Sequence, residues 1–365
     1  MALLVNIEDA RSVLPYDMEG MRDVLDALEK SYKDEGLGKA VNRTKSAVHI
    51  PTSRRDEWHR LTTFVGGVRS LNVSAIRIKP DITYQEGGPD SQRISWYTKQ
   101  RGTFGALVLL FSAEDGQLLA ILNDGSIQSL RVGATAGLAA RHMARPDARI
   151  VGILGSSGLA RAHALAYANT VPNLELFKVY SPNPERRKAF AGWLEDMTGI
   201  QTQVAETEQQ AQENADIIAS CTNQTGRPTI RAHSLRHGLH FTVVINSLQE
   251  LEKQAIPRID RVVEYVSGPM EHLFTTAPDH RPPSLGGSTE TSEALLDTVP
   301  RRHTLPQVLL GKAPGRESEQ EVNFFLSEGT AVQFATMASL VYGRCIERGI
   351  GRELNPEWFL QPTKT

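Results

Sequence analysis

The sequence predicts an α/β protein with a doubly wound parallel sheet at its centre and a second, α+β unit beside it. Three observations carry that expectation. From Arg149 onward, short apolar runs alternate with helical patterns, the arrangement that buries a parallel sheet between helices. Before that point come strand-like runs, the last of them broken by an acidic/Gly turn that predicts a hairpin. A length of 365 residues leaves room for two domains.

Each element follows in order. Residues 8–35 carry apolar positions at helical spacing, interrupted near Pro15, and predict a helix from about Asp17 to Lys33. Strand-like runs follow in "KSAVHIP", "HRLTTFVGG", "VSAIRIKPDI" and "GALVLLFSAEDGQLLAILND". The last breaks at Glu114–Gly116 and predicts a hairpin that turns there. "SLRVGATAGLAARHMAR" is alanine-rich and helical up to Pro146. Alternation then begins: "RIVGILG", a helix, "ELFKVYS", a helix over "PERRKAFAGWLEDMTG", "TQVAE", a helix, "ADIIASCT", "HFTVVIN" and "RVVEYVS". Residues 278–293 are rich in Pro, Gly, Ser and Thr and predict a mobile loop. "GTAVQFATMASLVYGRCIERGIG" predicts a C-terminal helix.

Composition narrows the function classes. A net charge of -2 gives no electrostatic case for nucleic acid or for an anionic membrane surface. Two cysteines, Cys221 and Cys345, cannot form a disulfide framework, and a reduced, cytoplasmic protein is expected. The N-terminus lacks the basic and long apolar regions of a secretion leader, and no run approaches a membrane span. The ten histidines show no metal-ligand spacing, so no metal is expected.

The segment "GILGSSGLARAH" has the form of a nucleotide-binding turn between strand and helix. Gly155 takes the place of the glycine that permits the bend, and Ala160 the small residue that lets helix and strand pack. Ser157 stands where a middle glycine usually lets the backbone approach a pyrophosphate, with Gly158 next to it. Its hydroxyl can itself donate to phosphate at a helix N-terminus. About 26 residues on, where an acid would read a ribose 2′-hydroxyl, stand Ser181, Asn183, Arg186 and Arg187. These suit a 2′-phosphate better, so NADP(H) is the preferred cofactor and NAD(H) the alternative. The expected cofactor-binding set is Gly155, Ser156, Ser157, Gly158, Leu159 and Ala160, the four residues just named, and Thr222 and Asn223 past "ADIIASC".

Five stretches, "NRTKS", "AIRIKPD", "DGSIQSLRVGATAGLAARHMARPDA", "GILGSSGLARAH" and "FLSEGTAVQFATMASLVYGRCIERGIGREL", together resemble the ornithine cyclodeaminase/mu-crystallin family. The resemblance runs along nearly the whole chain. It implies a Rossmann-type domain over 131–325, with a substrate-binding and dimerisation domain over 1–130 plus 326–365. It also implies a homodimer, an NAD(P)-dependent activity and an amino or imino acid substrate. By the same resemblance Arg43, Arg77 and Arg131 hold the substrate carboxylate, and Arg77, Arg131 and Lys79 form the catalytic group. Arginine suits that work because its planar fork pairs a carboxylate in two places. Many members have lysine where Arg77 stands, and Lys79 lies two residues on, on the same strand face.

Two departures bear on the reaction. The aspartate that follows "HFTVVIN" in cyclodeaminases is absent from "SLQELEKQAI", and Phe334 occupies the place of a second aspartate in "GTAVQF". Cyclodeamination needs an acid/base for each of its protons, whereas imine reduction needs fewer. The expected function is therefore NAD(P)H-dependent reduction of an imine or ketimine beside a carboxylate to give an amino acid. Its alternatives are a cyclodeaminase-type lyase, an amino-acid dehydrogenase, and a non-catalytic cofactor-binding protein. Asp81, Asp124 and Glu250 are the candidate acids nearest these motifs.

Overall fold

The computed structural model describes residues 1–87, 93–222, 227–244, 249–274, 296–361 and 363. Asn223, Asn246 and the predicted loop over 278–293 lie outside the described residues. In chain order the first strands are β1 (Ala2–Val5), β2 (Ala40–Asn42), β3 (Ser46–Pro51), β4 (Trp58–Val68) and β5 (Val73–Glu86). They are followed by β6 (Arg93–Tyr97), β7 (Leu107–Ser112) and β8 (Leu118–Asn123). Helices α1 (Ile7–Val13) and α2 (Met18–Gly36) fall among them, and Asp17 caps α2 by accepting from the Gly20 amide. The β7–β8 hairpin turns where expected, with Gly116 at φ +77°.

These strands join a ten-stranded mixed sheet with the central order β15-β3-β4-β5-β7-β8-β1-β18. Its last two members come from far along the chain: β15 (Glu271–Phe274) pairs parallel with β3, and β18 (Arg352–Leu354) antiparallel with β1. β15 thus leaves the span expected to form the nucleotide domain and completes the other sheet.

The second sheet is parallel throughout. It takes β9 (Ile150–Leu154), β10 (Leu176–Tyr180), β11 (Gln201–Val204), β12 (Ile217–Ser220), β13 (His240–Val243) and β14 (Arg261–Tyr265). β16 (Arg302–Thr304) and β17 (Asn323–Ser327) complete it in the order β11-β10-β9-β12-β13-β17-β14-β16. The chain order reverses beside β9, the switch point at which such sheets open a crevice at their carboxyl ends. β17 enters between β13 and β14, so the two adjacent runs read from the sequence are not neighbours.

Helix α3 (Gln128–Met143) joins the two sheets. It packs along α4 (Gly158–Thr170), the helix that follows the nucleotide turn. α5 (Pro184–Thr198), α6 (Glu208–Gln212), α7 (Leu305–Leu309) and α8 (Ala331–Arg348) complete the helices used here. Close approach of α3 and α4 requires glycine. A Cβ on Gly133 would sit 2.4 Å from the Ala162 carbonyl carbon, and one on Gly137 2.8 Å from the Ala166 Cβ. α8 covers the inner face of the mixed sheet with Phe334 against Phe64. Among the described residues, no helix is long and apolar enough to cross a membrane.

These packing differences separate two glycine substitutions. Gly133→Ala should lower the unfolding free energy by about 1–3 kcal/mol, because the backbone of α4 cannot yield. Gly192→Ala on α5 meets nothing within 4 Å. It should stabilise by roughly 0.5–1 kcal/mol through helix propensity. Denaturant midpoints of the two variants check both signs.

Candidate active site

β4 and β5 set out the site by their alternation. Their register pairs Phe64 with Arg77, Thr62 with Lys79 and Arg60 with Asp81, all on the face that α8 partly covers. Arg77 is buried there. Its Nε donates to Asp124 Oδ2 at 2.6 Å, and its Nη2 lies 2.5 Å from the same oxygen. The guanidinium carbon lies 5.0 Å from the Phe64 ring centre and 4.5 Å from that of Phe334.

Arg131 comes to the same ring from the first turn of α3, with its guanidinium carbon 4.7 Å from the Phe334 centroid. Its Nη1 donates to Gln333 Oε1 at 2.6 Å and its Nη2 to Gln128 Oε1 at 3.1 Å. Among the described residues it has no carboxylate partner, and its Nε is buried without an acceptor. Burial, and then repulsion from Arg77, pull its pKa down to about 9, which leaves it charged at neutral pH. A cation in a helix's first turn also opposes the helix dipole. Position and burial both work against this charge, and an anionic ligand would relieve both.

Gln333 fixes that arginine without neutralising it. Its Oε1 accepts from Arg131 and from the Thr330 amide, while its Nε2 donates to Tyr32 Oη at 3.0 Å and Thr135 Oγ1 at 2.8 Å. Gly329 closes the other side, where an added Cβ would lie 3.1 Å from both terminal nitrogens of Arg131. Lys79 is next along β5. Its ammonium lies 2.6 Å from Asp81 Oδ2 and about 5 Å from the ring centres of Trp96 and Phe104. Burial, and then the charges of Arg60 and Arg77, lower its pKa to about 8 against the pull of Asp81.

The nucleotide turn adjoins this cluster. Gly155 has φ +116°, and a Cβ there would lie 2.7 Å from the Cys221 carbonyl oxygen, so only glycine fits. Ser157 is the N-cap of α4 yet makes no side-chain cap bond, and with Gly158 it is exposed. The first amides of α4 therefore face outward, as an anion-binding helix end requires. A Cβ on Gly158 would meet Ser129 Oγ at 3.2 Å, which puts the turn two residues from Arg131. Tyr16 donates to the Gly158 carbonyl, Leu159 is partly buried and Ala160 is buried.

The residues expected to read the ribose divide. Ser156 Oγ donates to Ser181 Oγ at 3.0 Å, so Ser181 faces the turn. Asn183 caps α5 by accepting from the Arg186 amide, and the Arg186 side chain is exposed. Arg187 is buried, pairs with Glu206 at 2.6 Å and donates to the Ser181 carbonyl oxygen. Thr222 donates to Glu250 Oε2 at 2.6 Å, and that carboxylate also accepts from Ser220 and Thr229. Arg43 is exposed at the end of β2, its amide on the Val65 carbonyl, and its side chain is not brought against Arg77 or Arg131. Of the three candidate acids, Asp81 and Asp124 are taken by cations and Glu250 by hydroxyls.

Arg60, Gln333 and the pairing of Asp124 with Arg77 did not emerge from the sequence reading. Arg60 had a usable signal, since in "HRLTTF" it shares the alternation of Phe64. Among the described residues no cluster of three metal-ligating side chains occurs. A cleft of about 790 Å³, lined by residues including Arg141, His142, Arg145 and Arg316, lies at the far ends of α3 and α4 and holds none of the expected site residues.

Comparison with known proteins gives a consistent picture. Residues 95–349 match the model of the ornithine cyclodeaminase/mu-crystallin family. A Delta(1)-pyrroline-2-carboxylate reductase of Bacillus cereus is 29% identical over 269 residues, covering 73% of this chain and 77% of that one. The structure of the Thermococcus litoralis Delta(1)-pyrroline-2-carboxylate reductase with NADH and L-proline superposes with a TM-score of 0.75 at 22% identity, over 96% of this chain and 100% of that one. An archaeal alanine dehydrogenase dimer with bound NAD gives 0.75 at 23% identity, over 97% and 99%. These two structures share the fold.

The ion pair makes a prediction of its own. Asp124→Leu alone should cost about 3–5 kcal/mol of stability, since it strands the buried Arg77 charge. Adding Arg77→Met should recover much of that loss. Unfolding free energies of the two single variants and the double variant test it.

Proposed function

Because the chain belongs to the ornithine cyclodeaminase/mu-crystallin family, we propose that it is an NAD(P)H-dependent oxidoreductase that reduces an imine beside a carboxylate to an amino acid. The observation that carries this reading is Arg131, a buried guanidinium with no carboxylate partner among the described residues, two residues from the contact with the nucleotide turn. The names of its relatives, a reductase of a cyclic imino acid and a dehydrogenase of an amino acid, support a carbon–nitrogen bond as the reacting group.

The substrate carboxylate lies on Arg131, which Gln333 aims, with Arg77 behind it and Lys79 beyond. The turn over Gly155–Ala160 would hold the nicotinamide cofactor, which would supply the hydride for the imine carbon. Holding the substrate in that geometry accounts for roughly 7–11 kcal/mol of barrier lowering on effective-molarity grounds. A protonated imine brings its own proton on nitrogen, so this chemistry does not need the aspartates that the sequence lacks. Phe334, in place of one of them, is the ring on which both arginines rest.

Ser181 and the exposed Arg186 favour NADP(H) over NAD(H), whereas Arg187 and Asn183 spend their groups on Glu206 and on the cap of α5. The protein acts as a homodimer through the outer face of the mixed sheet. Leu4, Ile50, Val65, Leu107 and Leu273 are exposed there, on the pleat opposite Phe64 and Arg77.

Two measurements test this reading. NADPH oxidation with cyclic ketimines, or with 2-oxo acids and ammonia, should be seen with the wild type. It should fall at least about a hundredfold in kcat/KM in Arg131→Leu, on the order of 3 kcal/mol, with partial recovery in Arg131→Lys. NADPH binding should survive both changes; near-wild-type turnover in Arg131→Leu overturns the clamp. By calorimetry NADPH should bind about tenfold or more tightly than NADH, since a charge-assisted phosphate bond is worth about 1.5–3 kcal/mol. Equal dissociation constants overturn the cofactor preference.

A further inference from the structure

Beyond the arginine clamp, the same sheet face carries a second charged cluster. Asp81 is fully buried, and its Oδ2 accepts from Arg60 Nη2 at 3.1 Å and pairs with Lys79 Nζ at 2.6 Å. One carboxylate therefore serves two cations. Arg60 Nε is buried and finds no acceptor among the described residues. The clamp repeats this arithmetic, with Asp124 against Arg77 and Arg131. Among the described residues, each end holds one positive charge more than its carboxylate cancels.

The two ends are a short distance apart. Arg77 and Lys79 are one pleat repeat from each other on β5, about 6.6–6.8 Å between Cα atoms, and Arg60 stands across from Asp81 on β4. Thr62, paired with Lys79 in the register, lies between the two ends on β4. Trp96 and Phe104 wall the Lys79 side. Beyond Arg60, His49 and His272 join ring to ring at 2.9 Å. Burial, and then the charge of His272, hold the His49 pKa down to about 4, while burial, and then the charges of Arg60 and Lys45, lower that of His272. Glu328 is paired with Lys45 and does not cancel the excess.

We infer that the substrate of this site carries a second carboxylate at the end of a short side chain, and that Arg60 with Lys79 reads it. The inference rests on the reductase reading above and names its substrate class: a dicarboxylic imino acid, reduced to a dicarboxylic amino acid. A buried charge without compensation is costly. A monocarboxylate relieves only the Arg131 end, and a basic side chain would bring a third cation to Asp81. A dicarboxylate cancels both excesses at once.

Calorimetry on the protein loaded with NADP+ tests this with product-side probes: L-aspartate, L-glutamate, L-norvaline and L-ornithine. One of the two dicarboxylic amino acids should bind at least about tenfold more tightly than L-norvaline, as expected for a charge-assisted contact. Arg60→Met should reduce that preference roughly ten- to a hundredfold, and Arg60→Lys should restore part of it. Retained NADP+ binding shows that each variant is folded, and Arg60→Gln replaces Arg60→Met if the latter is not. Equal or tighter binding of L-norvaline or L-ornithine overturns the proposal, as does a preference that survives Arg60→Met. Turnover separates it from its parent reading. A dicarboxylate preference in binding, without NADPH oxidation by any oxo acid and ammonia or by cyclic ketimines, upholds the subsite and overturns the reductase.

Discussion

One phenylalanine ring holds two like charges together in a dry place. Arg77 and Arg131 both rest on Phe334, one delivered by a strand of the mixed sheet and the other by the helix that leads into the parallel sheet. Left alone, two buried guanidiniums at this separation would repel and draw in water. The ring offers both an attractive face, and Asp124 cancels one charge while leaving the other. Gln333 completes the balance by aiming Arg131 with a neutral oxygen, where a glutamate would have cancelled it. Among the described residues, the Arg131 charge is thus left without a carboxylate to cancel it.

That arrangement demands tight docking of parts far apart in sequence. Phe334 comes from α8, Arg77 from β5, Arg131 from α3, and Gly329 from the end of β17. Contact between Gly133 and Ala162 brings α3 onto α4, and so sets the clamp beside the turn at Gly155. The carboxyl ends of the parallel strands then open toward the charged face of the mixed sheet, as the switch point of a doubly wound sheet leads one to expect.

Much of this was legible in the residues. The hairpin at Gly116, the helix opened by Asp17 and the turn at Gly155 each carry a local physical requirement that a sequence can display. β17 was not legible, because "NFFLS" is five residues, buried, and without a period that separates strand from helix. β15 and β18 are shorter still, and only long-range pairing makes them strands. In the site, the arginines could be named because their type suits a carboxylate. Their partners could not: that Asp124 would meet Arg77, or that Arg187 would turn to Glu206, depends on packing. Arg60 lies between these cases, visible in the alternation of its strand but without the charge count that gives it meaning.

The pairing of β1 with β18 bears on how the chain is made. Leu3 lies opposite Glu353, so the edge strand β18 of the mixed sheet joins its inner neighbour β1 across nearly the whole of the described sequence. β15 and α8 are late arrivals as well, whereas the parallel sheet closes once β17 has emerged. Until α8 packs against β4 and β5, their inner face lacks its helical cover. A sheet with such remote pairings folds slowly and exposes apolar surface meanwhile. The charged residues on that inner face, Arg60, Arg77, Lys79 and Asp81, then have a second consequence. Inward-pointing charges of this kind disfavour association with another chain while such a face is uncovered.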